Sequence, residues 1–488
     1  MDGRSAIIVL ADGARADVFE RMLAAGELPA IDEHVVQRGG YARAASTFTT
    51  TTGPAHLPFL TGRFAGSANM PGYRWFDRTA HRRGLPTGPW CFRSYNGPES
   101  SLFQNDDIDA SASTLFELAP GSLNIFGPIT RGVEKGNNIA PLRKNLLWLH
   151  SHFLHDYARA DDAAAELLVD TLDRPAPFRF VTFPGIDWNS HYDNPFGEGA
   201  YAAYRKVDRA IGQMARELQR LGRYESTLIG VVSDHGHCPV NEHFDVAVWL
   251  EQERGLRVAY HSLKALRPRA EAIAAVSGNA MAHLYFRGDG GWRAPVTGEQ
   301  IRGARPGLIE ELLAKPAVDI IATREADGII RIESRRGSAT LSEHNGGVNY
   351  VAGESDPFGF GDLPAAMTHD EAFELTAASE YPDALTQVAQ IFRSPRTGDV
   401  VISAAPGYDL RDRYERPEHR SSHGALHSQH MSVPLAVSAP LQDRPLRTVD
   451  VFSAVLEWLG LPEPAGIDGR SPLAQDVSAS EAGLISAV

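Results

Sequence analysis

The chain has little cysteine, no long apolar run and no excess of positive charge, and each absence removes a class of protein. Two cysteines in 488 residues, Cys91 and Cys238, imply no disulfide framework. The first apolar run, Ala6 to Ala11, is shorter than the apolar part of a signal peptide. No later stretch approaches the roughly eighteen apolar residues of a membrane helix. A cytoplasmic location without membrane association is therefore the expectation. The formal charge of −14 excludes the basic footprint of a nucleic-acid or anionic-membrane surface. An anionic substrate would need local positive charge in such a chain, which a bound metal ion supplies. Internal repeats and low-complexity tracts are also missing, and 43% apolar with 22% charged residues is an ordinary globular composition.

What is there is a recurring strand–turn–helix unit. Ile7 to Leu10 is continuously apolar, as in a strand buried on both faces, and ends at Asp12-Gly13. A helical pattern follows (Phe19, Met22, Leu23), with Gly26 as its stop. FRFVTF (178–183) is a second such strand, followed by a helix with Tyr204, Val207, Ile211, Met214, Leu218 and Leu221 on one face. TLIGVV (227–232) and VPLAV (433–437) are further strands, and a last helix runs from about Thr448 to Leu459. The pattern predicts an α/β fold: a mostly parallel central sheet with helices on both faces. The expected organisation is a catalytic core over 1–254 with a loop-rich insertion at about 70–165, an α+β insertion over 255–395, and a core return segment over 396–488. Within 255–395 the spacing predicts a strand at HLYF, hairpin turns at Asp327-Gly328 and Asn345-Gly346, and a helix near 299–313. The chain is expected to rejoin the sheet near Val400.

Acidic and histidine residues recur where the buried strands end. Asp12 follows the first, Asp187 and His191 follow FRFVTF, Asp234-His235 follows TLIGVV, and His423 precedes VPLAV. In open α/β sheets ligands bind at the carboxyl ends of the strands. Singly, each residue has an ordinary explanation as a turn, cap or surface pair. Jointly, six oxygen and nitrogen donors converging there fit two divalent ions. Zinc is expected from the histidines without cysteine ligands, and manganese or iron suits the same donors. The denser cluster His150, His152 and His155 lies in a segment rich in Leu, Trp and Phe and reads as an amphipathic helix. His427, His430 and His56 are candidates for support around the site.

Residues 46–62, STFTTTTGPAHLPFLTG, place Thr52 at the entrance to a short helix ending at Thr61-Gly62, kinked or shortened by Pro58. A hydroxyl there is a poor nucleophile unless a metal lowers its pKa.

With these residues assembled, the chain resembles the alkaline phosphatase superfamily, and within it the type I phosphodiesterase/nucleotide pyrophosphatase family. The likeness is carried by Asp12-Gly13, Thr52-Gly53-Pro54 with Thr61-Gly62, Asp187-x3-His191, Asp234-His235-Gly236, His423-Gly424 and the closing WLGLPEPAGIDGRSP. It selects Thr52 from the threonine run. It implies one ion held by Asp12, Asp234, His235 and Thr52, and another held by Asp187, His191 and His423. It further implies in-line attack by Thr52 on a small-molecule phosphate ester, giving a phospho-threonine that water hydrolyses. Relatives acting on nucleotide diesters carry an Asn about twenty residues after the nucleophile; Tyr73 stands there in this sequence. Tyr73 and the neighbouring Arg74 are therefore candidate substrate-binding residues, with simple packing as the other reading of Tyr73. The resemblance leaves open a phosphomonoesterase or phosphonate hydrolase, for which Arg74, Arg93, Arg131 or Lys135 would offer an added cation, and a phosphotransferase or phosphomutase. A sulfatase is disfavoured, because neither cysteine lies in a Cys-x-Pro-x-Arg pattern.

Overall fold

In the computed structural model of the protein, which describes residues 3–81, 91–95, 98–154, 157–260, 269–411 and 418–474, Ser5–Ala11 forms strand β1 and is buried along its whole length. Alternate side chains reach two opposite cores, because successive Cβ atoms leave a strand on opposite faces. Ala6, Ile8 and Leu10 join one core, Ile7, Val9 and Ala11 the other. Each fully buried Ile, Val or Leu contributes about 1.5–3 kcal/mol, so a strand apolar on both sides needs both faces covered.

The covering elements follow in order. Helix α1 is Ala16–Ala24, strand β2 Gly40–Ala45 and helix α2 Leu57–Thr61. Strand β3 (Phe178–Phe183) leads into α3 (Gly185–Tyr192) and α4 (Glu198–Arg220); β4 is Thr227–Val232, β5 Ser432–Val437 and α5 Asp450–Leu459. The eight-stranded sheet runs Leu446–Arg447, β2, β5, β4, β1, β3, Leu123–Ile125, Asn138–Ile139. β1 is parallel to both β3 and β4, and β5 runs antiparallel to its neighbours β4 and β2. Helix α4 packs its expected face, Tyr204, Val207, Ile211, Met214 and Leu218, on one side of the sheet, and α5 lies on the other. The fold is α/β, as expected, with a mostly parallel central sheet and helices on both faces. Among the described residues no helix is long and apolar enough to cross a membrane.

Four details differ from the sequence reading. The strand Val400–Ala404 does not rejoin the main sheet; it lies between Met281–Phe286 and Val318–Arg324 in a second, nine-stranded sheet, and the chain returns at β5. An apolar run specifies a strand but not its partners. The helix expected over 299–313 is two, Gly298–Ala304 and Leu308–Leu313, divided where Pro306 removes a donor and Gly307 takes φ +79°. The segment about 70–165 contributes two short strands to the main sheet, Leu123–Ile125 and, at its edge, Asn138–Ile139. The helix through His150 is present as Pro141–Leu154, yet Leu142, Leu146 and Leu149 on it are exposed; His155 lies outside the described residues. Both hairpin turns are as expected, with Asp327-Gly328 and Asn345-Gly346 all at positive φ between antiparallel strands.

Candidate active site

The ends of β1, β3 and β4 meet because their registers are parallel. Asp12 follows β1; its N–H donates to the Phe183 carbonyl at the end of β3, and its carbonyl accepts from the Asp187 N–H, each at 3.0 Å. Asp187 and His191 lie one helical turn apart on α3, so both side chains face the same way. Asp234 and His235 follow β4. Gly13 is obligatory at this junction: it has φ +76°, and a Cβ there would fall 2.8 Å from the Asp187 Cα and 2.9 Å from His237 Nε2.

The threonine run also takes shape. Thr47 Oγ1 accepts from the Ala65 N–H, Thr49 Oγ1 donates to the Gly424 carbonyl, and Thr50 Oγ1 accepts from the Gly424 N–H while donating to the Ala425 carbonyl. These hydroxyls fasten the run to its surroundings. Thr52 is only half-buried, and its Oγ1 donates to Asp12 Oδ1 at 3.2 Å and lies 3.1 Å from His235 Nε2. Behind it, a 3-10 turn (Pro54–His56) and α2 form the short, divided helix expected, ended by Gly62 in the left-handed region.

The donor atoms form two neighbouring groups. In the first, His235 Nε2 is 3.5 Å from Asp12 Oδ1 and 3.5 Å from Asp234 Oδ2. In the second, Asp187 Oδ1 is the shared point, 3.4 Å from His191 Nε2, 3.7 Å from His423 Nε2 and 4.0 Å from His235 Nε2. Ligands about 2.0–2.1 Å from a tetrahedral zinc stand about 3.3 Å apart, so both groups have the spacing of a coordination shell. The ring orientations agree. His191 Nδ1 meets the Ser421 carbonyl at 2.8 Å, His423 Nδ1 the Thr50 carbonyl at 2.9 Å and His235 Nδ1 the Gly236 carbonyl at 3.2 Å. A carbonyl accepts only, so each Nδ1 carries the proton and each Nε2 presents a lone pair inward.

The charges point to the same need. Asp12, Asp187 and Asp234 are all buried, and among the described residues no lysine or arginine pairs with any of them. Burial first, and then the charges of Asp234 and Asp187, push the Asp12 carboxyl well above its usual range. Asp234 Oδ2 is buried without a hydrogen-bond partner, 3.3 Å from His56 Nε2. Three buried carboxylates facing lone-pair nitrogens fit divalent cations.

The structure thus brings together Thr52, Asp12, Asp187, His191, Asp234, His235 and His423, the last propped by the second sheet. The His423 N–H donates to the Gly278 carbonyl, and its carbonyl accepts from the Ala280 N–H. His427 and His430, both buried, pack ring to ring at 4.2 Å, and the His430 carbonyl accepts from the Gly236 N–H. Tyr73 and Arg74 are engaged in a small hairpin. The Tyr73 ring lies edge-on to Tyr95 at 6.3 Å, and Arg74 Nε donates to Ser94 Oγ. Arg93 pairs with Asp107, and Arg131 with Glu117. One buried residue escaped the sequence reading. His237 Nε2 stands 2.8 Å from Asp187 Oδ1, and burial lowers its pKa to about 3. The available signal was the alternation His-Gly-His in DHGHCP, of which only the first histidine was used.

Solved structures with this fold include murine ectonucleotide pyrophosphatase/phosphodiesterase 5, at 13% identity and TM-score 0.55, covering 98% of this chain and 99% of that one. An inactive form of that protein in complex with AMP is also similar, with a TM-score of 0.54 over 94% of this chain and 96% of that one at 13% identity. Phosphonoacetate hydrolase from Sinorhizobium meliloti 1021, in complex with phosphonoacetate, is 16% identical with TM-score 0.55, covering 93% of this chain and 96% of that one. No curated protein sequence matches. Residues 6–289, more than half of the chain, match the family model of the type I phosphodiesterase/nucleotide pyrophosphatases, and the chain belongs to that family of phosphoric ester hydrolases.

Proposed function

We propose that the chain hydrolyses phosphodiesters, including nucleotide pyrophosphate-type substrates, with Thr52 as the nucleophile and two divalent ions, zinc by preference, as cofactors. The observation that carries this reading is the position of Thr52 Oγ1, half-buried and within 3.2 Å of both Asp12 and His235 at the edge of the carboxylate–imidazole cluster. Asp12, Asp234, His235 and Thr52 would hold one ion, and Asp187, His191 and His423 the other. When bound, such ions lower the pKa of a coordinated hydroxyl and neutralise charge on the phosphoryl oxygens. Asp12 accepts the Thr52 hydroxyl proton and aims Oγ1 for attack on phosphorus in line with the leaving oxygen. The Thr52 Oγ1–P bond forms as the ester P–O bond breaks, the hydroxyl proton passes to Asp12 and the leaving alcohol or phosphate departs; water then cleaves the phospho-threonine, returning the threonine hydroxyl and releasing the phosphoryl product.

A second reading, action on phosphomonoesters or phosphonates, is favoured by Tyr73, which packs against Tyr95 and the core at the position where diester-specific relatives carry an amide donor. Against it, the additional negative charge calls for a further cation, and Arg93 and Arg131 are committed to Asp107 and Glu117. The deciding experiment compares steady-state turnover of bis-p-nitrophenyl phosphate and p-nitrophenyl phosphate, with and without added zinc, for the wild type and Thr52→Ala. A metal-dependent diester preference lost with Thr52 is expected. A monoester preference would favour the second reading, and turnover that survives Thr52→Ala would overturn the mechanism.

A further inference from the structure

The contact between His237 and Asp187 pairs two atoms that repel unless a cation lies between them. His237 Nδ1 is 3.0 Å from Ser421 Oγ, and Ser421 Oγ donates its single proton to the Ser190 carbonyl at 2.7 Å. With that proton committed, Ser421 Oγ can only accept, so the His237 proton is on Nδ1. His237 Nε2 therefore carries a lone pair, and it faces the carboxylate oxygen Asp187 Oδ1 at 2.8 Å. The arrangement is built into the backbone. Strand Cys238–His243 pairs antiparallel with Ser421–Ser422, in the register Ser421 to Pro239 and Ser422 to Cys238, which sets Ser421 beside His237. The ring is buried, Arg15 donates to the His237 carbonyl, and the absence of a Cβ on Gly13 leaves room for Nε2.

We infer that His237 is a fourth protein ligand of the ion held by Asp187, His191 and His423. The inference rests on the two-ion reading above. Three imidazole nitrogens then face the one carboxylate oxygen Asp187 Oδ1, at 2.8, 3.4 and 3.7 Å, with every Nδ1 anchored by an acceptor. A His3Asp set is neutral but for one charge, whereas the first group supplies two carboxylates. The second ion keeps more of its positive charge and is held by four protein side chains.

The test is a cobalt(II) titration of the metal-stripped protein, read by visible absorption and by metal content after dialysis, with wild type, His237→Ala and His237→Gln. The wild type takes up two ions. Both variants are expected to bind the second ion more than about 100-fold more weakly, since outer-shell changes alone cost 10–100-fold, and to lose the absorption of that site while the first site is unchanged. His237→Gln retains a donor for Asp187 and guards against a folding defect, checked by circular dichroism of the stripped protein. If His237→Gln binds the second ion within about threefold of wild type with an unchanged spectrum, His237 is only a hydrogen-bond partner and the inference is overturned. A wild type that takes up fewer than two ions would overturn the two-ion reading itself, and the inference with it.

Discussion

Gly53 adjoins Thr52, the proposed nucleophile, and replacing it with alanine tests whether the backbone there is what aims Thr52. It has φ +94° and ψ −79°, a conformation open to glycine, and a Cβ on it would stand 2.7 Å from Gln104 Nε2. Two costs combine in Gly53→Ala. The contact with Gln104 is with the end of a flexible side chain and can be relieved by its movement. The backbone cost, about 1–3 kcal/mol for a side chain held in such a region, cannot. The chain relieves that cost by rotating the link to Thr52, and a displacement of about 1 Å at a reacting atom costs on the order of 100-fold in rate. The expected result is a fall of about that size in kcat for bis-p-nitrophenyl phosphate, with two bound ions retained. Gln104→Ala added to Gly53→Ala should restore little of it, because only the steric part is removed. Wild-type kcat in Gly53→Ala, or full recovery in the double variant, would refute the reasoning.

Thr52→Ser should retain measurable turnover, and Thr52→Ala should lose it even with zinc supplied in excess to offset the lost ligand; rapid-quench trapping of a phosphorylated Thr52 checks the intermediate. His283 should make the protein acid-sensitive. It is buried, accepts from the Gly398 N–H and donates to the Pro71 carbonyl, and burial lowers its pKa from near 6.5 to about 4. Its contribution is present above pH 6.5 and is lost as pH falls towards 4, on the order of 3 kcal/mol; urea midpoints at pH 7 and 4.5 should differ less in His283→Gln than in wild type. Asp383→Ala should destabilise by about 1.5–3 kcal/mol, because it removes the carboxylate that buried Arg447 meets at 2.8 and 2.9 Å and leaves that guanidinium with Asp370 at 2.8 Å and the His369 carbonyl; an unchanged urea midpoint would contradict this. Chelation should lower the thermal midpoint and zinc should restore it, since the buried carboxylates of Asp12, Asp187 and Asp234 then repel without compensation.

The sequence disclosed most where one physical cause produced both pattern and place. A strand buried on both faces must be apolar throughout, so Ile7 to Leu10 and Thr227 to Val232 were visible, and the polar residues that end them stood out as site candidates. Asp12, Asp187, His191, Asp234 and His235 came forward in this way. His237 did not, because a histidine opening a short polar strand resembles a surface residue until the pairing with Ser421 is known. Val400–Ala404 was visible as a strand and misplaced as to sheet, since its pairing depends on residues far away in the chain, in Met281–Phe286 and Val318–Arg324. Leu123–Ile125 and Asn138–Ile139 are too short for a period to emerge, and only their neighbours make them strands. Tyr73 was ambiguous for the opposite reason: a phenol in a loop-rich segment packs or donates equally well, and its surroundings decide.

The side chains of the site come from residues 12 to 423, and the Gly278–Ala280 turn of the second sheet props the last of them. No contiguous piece of the chain therefore contains a working centre. During synthesis Thr52, the proposed nucleophile, emerges long before His423, and His423 cannot seat until the second sheet has formed its turn. Hydrolytic competence is thus withheld from the nascent chain until both sheets have formed, so that metal capture at the proposed centre would report that the two sheets have come together.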